Sequence, residues 1–207
     1  MTMNAQALQL AGDELARAAE SAGCRVLARG VHNDGASSWP VLELECDDNA
    51  HAIDFLNRAA SLDAGHPDLR ALALWIRRAH GEPLAYAQAV QAFVKALVRF
   101  VREVRETFQH ALYTLQHHAG DCDDHARAVV ALARAGGLRA TVRGVVNARG
   151  AVSHVAPLIS DGRAWHWAET TVDARFGEHP RTAAHRLGLE RPDIWAARRN
   201  VRGTSAP

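Results

Sequence analysis

The spacing of apolar positions changes along the chain, and each change marks a change of element. Residues 5–22 are rich in alanine and leucine and predict a short helix ending near Gly23. "CRVLARGV" (24–31) and "WPVLELEC" (39–46) alternate apolar and polar residues as strands do, joined by the turn-rich "HNDGASS". "NAHAIDFLNRAASL" returns to a helical pattern. Past Gly65-His66-Pro67, Leu69, Leu72, Trp75 and Ile76 fall on one helical face, and Pro83 suits the first turn of the next helix. Tyr86, Val90, Phe93, Val94, Leu97, Val98, Val101 and Val104 then keep a three-and-four spacing that predicts one core-facing helix. Farther on the period shortens again. "LRATVRGVV" (138–146), "AVSHVAPLI" (151–159) and "RAWHWAET" (163–170) predict three successive strands, with turns at "NARG" and "SDGR". From Arg181 the chain is polar and arginine-rich, and "VRGTSAP" suits a frayed tail.

This organisation divides the chain into an N-terminal α/β extension or small subdomain (1–65), a core (66–180) and a polar tail (181–207). With 207 residues and 48% apolar composition, the chain can bury one sizeable core. It lacks an apolar run long enough for a membrane span and a basic start followed by an apolar signal core, so a cytoplasmic protein is expected. The formal net charge of +1 gives no bulk attraction to nucleic acid or acidic membranes. Cys24, Cys46 and Cys122 are odd in number and irregularly spaced, which argues against a disulfide framework and for a reducing compartment.

Two of these cysteines precede paired aspartates: "ECDDNAHA" at 45–52 and "GDCDDHARAVVALARAGG" at 120–137. Only the second has a glycine before it and a long helical pattern closed by two glycines behind it. Asp121 is a good N-cap, which places Cys122 in the first turn, where unpaired backbone N–H groups and the helix dipole favour a thiolate. Gly120 suggests room for a substrate backbone. Asp123 and Asp124 also suit a first turn, although their charges oppose a thiolate unless their side chains point away. "ECDDNAHA" ends a strand and predicts a capped strand-to-helix turn, with Cys46 a structural thiol.

A nucleophilic thiol needs a histidine, and that histidine needs an orienting acceptor. If Asp161-Gly162 forms a two-residue hairpin, Ser160 pairs with Arg163, Leu158 with Trp165, Ala156 with Trp167, and His154 with Glu169. His154 and Glu169 then share one sheet face, with Asp173 the second choice of acid. Trp165 and Trp167 join that face and are expected to fill core.

The order of nucleophile on a helix, base on a strand and acid on the next strand resembles the transglutaminase-like superfamily. The resemblance rests on "GDCDDHARAVVALARAGGLRATVRGVV", then "SHV", then "WHWAETT", and runs from about His66 to Pro180. It implies an α+β, papain-like fold with a catalytic helix packed on an antiparallel sheet. It further implies Cys122 as nucleophile, His154 as general base, Glu169 as third member, and no cofactor. The family's common pattern has an aromatic two residues after the histidine and an aspartate as the acid; here Ala156 and Glu169 stand there. Gln116, six residues before the cysteine, has the spacing of a papain-like oxyanion donor, beside the backbone N–H of Cys122. The implied activity is amide acyl transfer on a peptide or protein, as peptidase, amidase or transglutaminase.

Because bacterial and phage-encoded members carry this Gly-Asp-Cys-Asp-Asp form, a phage or host protein partner and a virion association also follow from the resemblance. A rival reading is a non-catalytic interaction or phage-assembly protein that keeps the fold. A metal site of His117, His118, Cys122 and His125 is disfavoured, because a glycine break separates the first pair from the helix.

Overall fold

The computed structural model describes residues 5–33, 38–102, 108–147 and 150–189. Helix α1 (Ala5–Ser21) leads into the antiparallel hairpin β1 (Cys24–Asn33) and β2 (Ser38–Cys46). Helices α2 (Asn49–Ala64), α3 (Pro67–Ala79) and α4 (Pro83–Leu97) follow, then two short parallel strands, β3 (Arg99–Phe100) and β4 (Ala119–Gly120), with α5 (Ala111–His117) between them. Helix α6 (Cys122–Ala135) precedes the antiparallel sheet β5 (Arg139–Val146), β6 (Val152–Ser160) and β7 (Trp165–Trp167), and α7 (Pro180–Arg186) closes the described chain. This is the expected α+β architecture of helices against small antiparallel sheets.

Helix α6 is the centre of the molecule. It packs against α2, α3, α4, α5, β5 and β6, and every residue from Asp123 to Ala133 is buried. A helix enclosed on all sides needs small side chains, and the alanines of "ARAVVALARA" let its neighbours approach. Leu56 and Ala60 of α2 join this core with Leu69, Ile76, Tyr86, Val90, Val94, Val129, Leu132 and Ile159. Glycines 136 and 137 end the helix by different means. A Cβ on Gly136 would fall 2.1 Å from the Tyr86 hydroxyl, which donates to the Leu132 carbonyl at 2.7 Å, while Gly137 takes φ +87°.

A buried polar cluster fixes α2, α5 and α6 to one another. Arg127 donates through Nε and Nη2 to the two Asp63 oxygens at 2.7 and 2.8 Å, and both side chains are 1% exposed. The same carboxylate accepts from the Ala111 N–H at 3.0 Å and lies 3.0 Å from His110 Nε2. Burial pushes the Asp63 carboxyl up, but the Arg127 and His110 charges and the hydrogen bonds outweigh it and hold it below its ordinary value.

Several expectations are corrected. The apolar stripe beginning at Tyr86 is not one helix: α4 ends at Leu97, Val98 is extended, and Arg99-Phe100 pairs with the segment before Cys122. Val98 and Val101 are β-branched, and pairing with β4 overrides their helical spacing; Val104 lies outside the described residues. Trp75 is 66% exposed, so it does not share the buried face of Leu69 and Ile76. The polar segment after Pro180 begins as a helix that buries Ala183 and Ala184. "VRGTSAP" lies outside the described residues.

Cys24 and Cys46 form a disulfide, so neither is the thiol expected. They stand directly opposite each other at the open ends of the β1–β2 ladder, with Cα atoms 4.3 Å apart. That is the close spacing of a directly opposed antiparallel pair. Sequence spacing did not show this because the register depends on the intervening turn. The cysteine-count argument for a reducing compartment therefore does not apply to this pair.

Candidate active site

The capping box at the start of α6 holds Cys122 at its first helical position. The Asp121 side chain accepts from the Asp123 N–H at 3.1 Å, and Asp124 Oδ2 accepts from the Asp121 N–H at 3.2 Å. Asp124 also accepts from the Gln109 N–H at 2.8 Å, tying in the chain that precedes α5. Upstream, β3 grips the approach: Arg99 N–H donates to the His118 carbonyl and Val101 N–H to the Gly120 carbonyl. His118 has φ +56°, a conformation uncommon outside glycine, and turns the chain out of α5 toward the cysteine.

Gly120 also serves the protein's own packing. A Cβ there would lie 2.6 Å from Asp124 Cβ, so the missing side chain makes room for the protein's own capping carboxylate. Asp123 is also fully buried. Burial, its hydrogen bond with Asp121, and the charges of Asp121, Cys122 and Asp124 push its carboxyl well above the ordinary range. That shift weakens the opposition its charge would offer a thiolate at Cys122. Asp121, Cys122 and Asp123 bring their ligand atoms within 4.8 Å of one another. The His117-His118-Cys122-His125 set does not assemble: His117 stacks on Tyr113 at 3.7 Å, and His125 is buried elsewhere against Thr170.

The anticipated histidine–carboxylate pair is present. His154 Nε2 and Glu169 Oε2 lie 2.6 Å apart, with both side chains 1% exposed. Thr171 donates to the other oxygen, Glu169 Oε1, through its N–H at 2.6 Å and its hydroxyl at 2.8 Å. Burial raises the Glu169 carboxyl, but His154 and these Thr171 donors outweigh it and hold it below its usual value. Asp173 instead sits on the surface with Lys95 Nζ at 2.5 Å.

The hairpin that delivers the pair is not the one anticipated. Ser160 pairs with Trp165, Ile159 with His166 and Leu158 with Trp167, two residues out of the expected register. Asp161 explains the wider turn: its carboxylate accepts from the Arg163 and Ala164 N–H groups at 2.8 and 2.7 Å, which hold it down to about 2. A shift of two keeps every side chain on its original face, so the facing prediction survived the register error. The third strand is also shorter than expected, ending at Trp167. Trp165 is 48% exposed with Arg139 over its ring, so it does not fill core.

Helix α6 packs along β6, the strand that carries His154. One turn beyond Cys122, His125 feels the charges of both Glu169 and His154, so the start of α6 and the buried pair share one electrostatic environment. Gln116 lies on the exposed last turn of α5. Sequence reasoning missed three supports. Gln91 of α4 donates to the Glu169 carbonyl at 2.8 Å, Thr171 fixes the Glu169 carboxylate, and Thr170 meets His125. Only the adjacency of the two threonines to the acid hinted at them.

No curated protein matches the chain. A solved candidate protease from Parabacteroides distasonis shares its fold at 12% identity and a TM-score of 0.51, over 69% of this chain and 30% of that one. A candidate cysteine protease from Cytophaga hutchinsonii is 16% identical with a TM-score of 0.44, over 72% and 66% of the two chains. This chain therefore spans less than a third of the first of these proteins. Among the described residues, no helix is long and apolar enough to cross a membrane. The Transglutaminase-like superfamily matches residues 70–176, just over half of the chain and including Cys122, His154 and Glu169, and the protein belongs to that superfamily.

Proposed function

We propose that the protein is a thiol-dependent amide acyl-transfer enzyme acting on a peptide or protein, with Cys122 as nucleophile, His154 as base and Glu169 as the acid that orients it. The observation carrying this reading is the buried 2.6 Å contact between Glu169 and His154, which lies on the strand against which the Cys122 helix packs. With Nε2 committed to Glu169, Nδ1 is the nitrogen that exchanges a proton with the thiol. The helix N-terminus favours the thiolate.

In the reaction, the Cys122 sulfur forms a bond to the amide carbonyl carbon. The tetrahedral oxyanion is held by the Cys122 backbone N–H, with Gln116 the candidate second donor. Collapse breaks the C–N bond, His154 returns its proton to the leaving amine, and a thioester remains. Water then regenerates the thiol and releases an acid; an amine acceptor gives a transamidated product instead.

The test is alkylation of Cys122 by iodoacetamide across about pH 5 to 9, followed by peptide mass spectrometry. The proposal expects fast labelling at low pH that His154→Ala abolishes. Labelling that follows an ordinary thiol, or is indifferent to His154, overturns it and favours a non-catalytic interaction protein.

A further inference from the structure

His125 lies one turn from Cys122 on α6 and is 1% exposed, yet the chemistry proposed above does not use it. A buried imidazole needs hydrogen-bonding partners, since its desolvation is otherwise uncompensated. Its Nδ1 lies 3.0 Å from the hydroxyl of Thr170, itself 5% exposed and adjacent to Glu169 in sequence. The far side of the ring faces β3: Nε2 is shielded from solvent beside the Arg99 backbone, and the Phe100 ring centre is 6.4 Å away. Its charged and titratable neighbours are Glu169, Asp121 and His154. Burial holds the imidazole below its ordinary value.

His125 thus touches or neighbours three pieces of the site: the nucleophile's helix, the strand that grips residues 118–120, and the residue after the acid. On the other side, Gln91 holds the Glu169 carbonyl from α4. Between these two contacts, the 169–171 segment is held from α4 and from α6.

We propose that His125 is a positioning residue that, through Thr170, fixes the His154–Glu169 pair relative to Cys122. This rests on the acyl-transfer reading and adds a role to it. The Thr170 hydroxyl and His125 Nδ1 share a hydrogen bond at 3.0 Å. A small misplacement of a catalytic group is expensive, because proton transfer requires hydrogen-bond distance.

The experiment measures Cys122 alkylation by iodoacetamide at about pH 6 in the full chain, alongside thermal melting, for wild type, His154→Ala, Thr170→Val, Thr170→Ser, His125→Phe and the Thr170→Val/His125→Phe double variant. Thr170→Val keeps the side-chain shape and removes the hydroxyl, so it remains informative if His125→Phe fails to fold. The expected result is a roughly 3- to 10-fold slower rate in Thr170→Val with little change in melting, wild-type behaviour in Thr170→Ser, and a double variant no slower than the slower single one. A folded Thr170→Val with the wild-type rate overturns the positioning role while leaving the acyl-transfer reading intact. If wild type and His154→Ala label alike, the acyl-transfer reading fails and the positioning role falls with it.

Discussion

His154 and Glu169 meet at 2.6 Å even though the sheet register does not place them directly opposite each other. Extended past Trp167, the observed ladder would set Ala156 opposite Glu169 and make His154 its diagonal neighbour. The Ala168 N–H still donates to the Pro157 carbonyl at 2.9 Å, which continues that register by one residue. Diagonal positions lie about 7–8 Å apart at Cα, within reach of a long side chain. The extra methylene of glutamate, unlike the aspartate common in the family, suits this offset.

Replacing Glu169 with Gln keeps the shape and removes the negative charge that lies against His154. Cys122 alkylation at about pH 6 is expected to slow about 10- to 100-fold. The native carboxyl is held low, so its stabilisation is complete above its unfolded value near about 4.3 and is lost as pH falls through the folded value. Acid titration of melting temperature should therefore be shallower below about pH 4.3 in Glu169→Gln than in wild type. An unchanged acid limb would contradict this.

Arg127→Met leaves the Asp63 carboxylate buried without its bidentate partner, and a loss of about 3–5 kcal/mol is expected in denaturant unfolding. Adding Asp63→Asn should recover part of that loss. Failure of the second change to help would show that the ion pair is not the source.

His110 is held down to about 4 by burial, against the opposing pull of Asp63. The unfolded chain then binds more protons between that value and about 6.5, so stability rises with pH across the window and falls on acidification. The expected change is on the order of 3 kcal/mol, and His110→Gln should flatten it. A wild-type slope in His110→Gln would assign the acid sensitivity elsewhere.

Without reductant, peptide mapping should find Cys122 as the one alkylated cysteine, and all three after reduction under denaturing conditions. Cys24→Ser/Cys46→Ser should lower stability by about 2–4 kcal/mol. Labelling of Cys24 or Cys46 without reductant would count against the pairing.

Gly120→Ala forces a Cβ against Asp124, so a loss of about 1–3 kcal/mol is expected, together with slower Cys122 alkylation. A variant as stable as wild type would show that the capping carboxylate can move aside.

The sequence by itself determined most of the local structure and the identity of the chemical groups. The glycine-framed helix, the cap at Asp121, and the shared face of His154 and Glu169 follow from short-range periods and cap chemistry, which operate within a few residues. Tertiary structure decided what depends on distant partners. Residues 99–100 become a strand because residues 119–120 lie beside them, and Cys24 meets Cys46 because the β1–β2 register aligns them. The Asp123 carboxyl is pushed above its ordinary range because α6 is enclosed on every side. Burial of His125 and its contact with Thr170 arise in the same way, from the packing of α6 beside the segment that follows β7. Pairing and desolvation are sums over the whole fold, and no local window of sequence contains them.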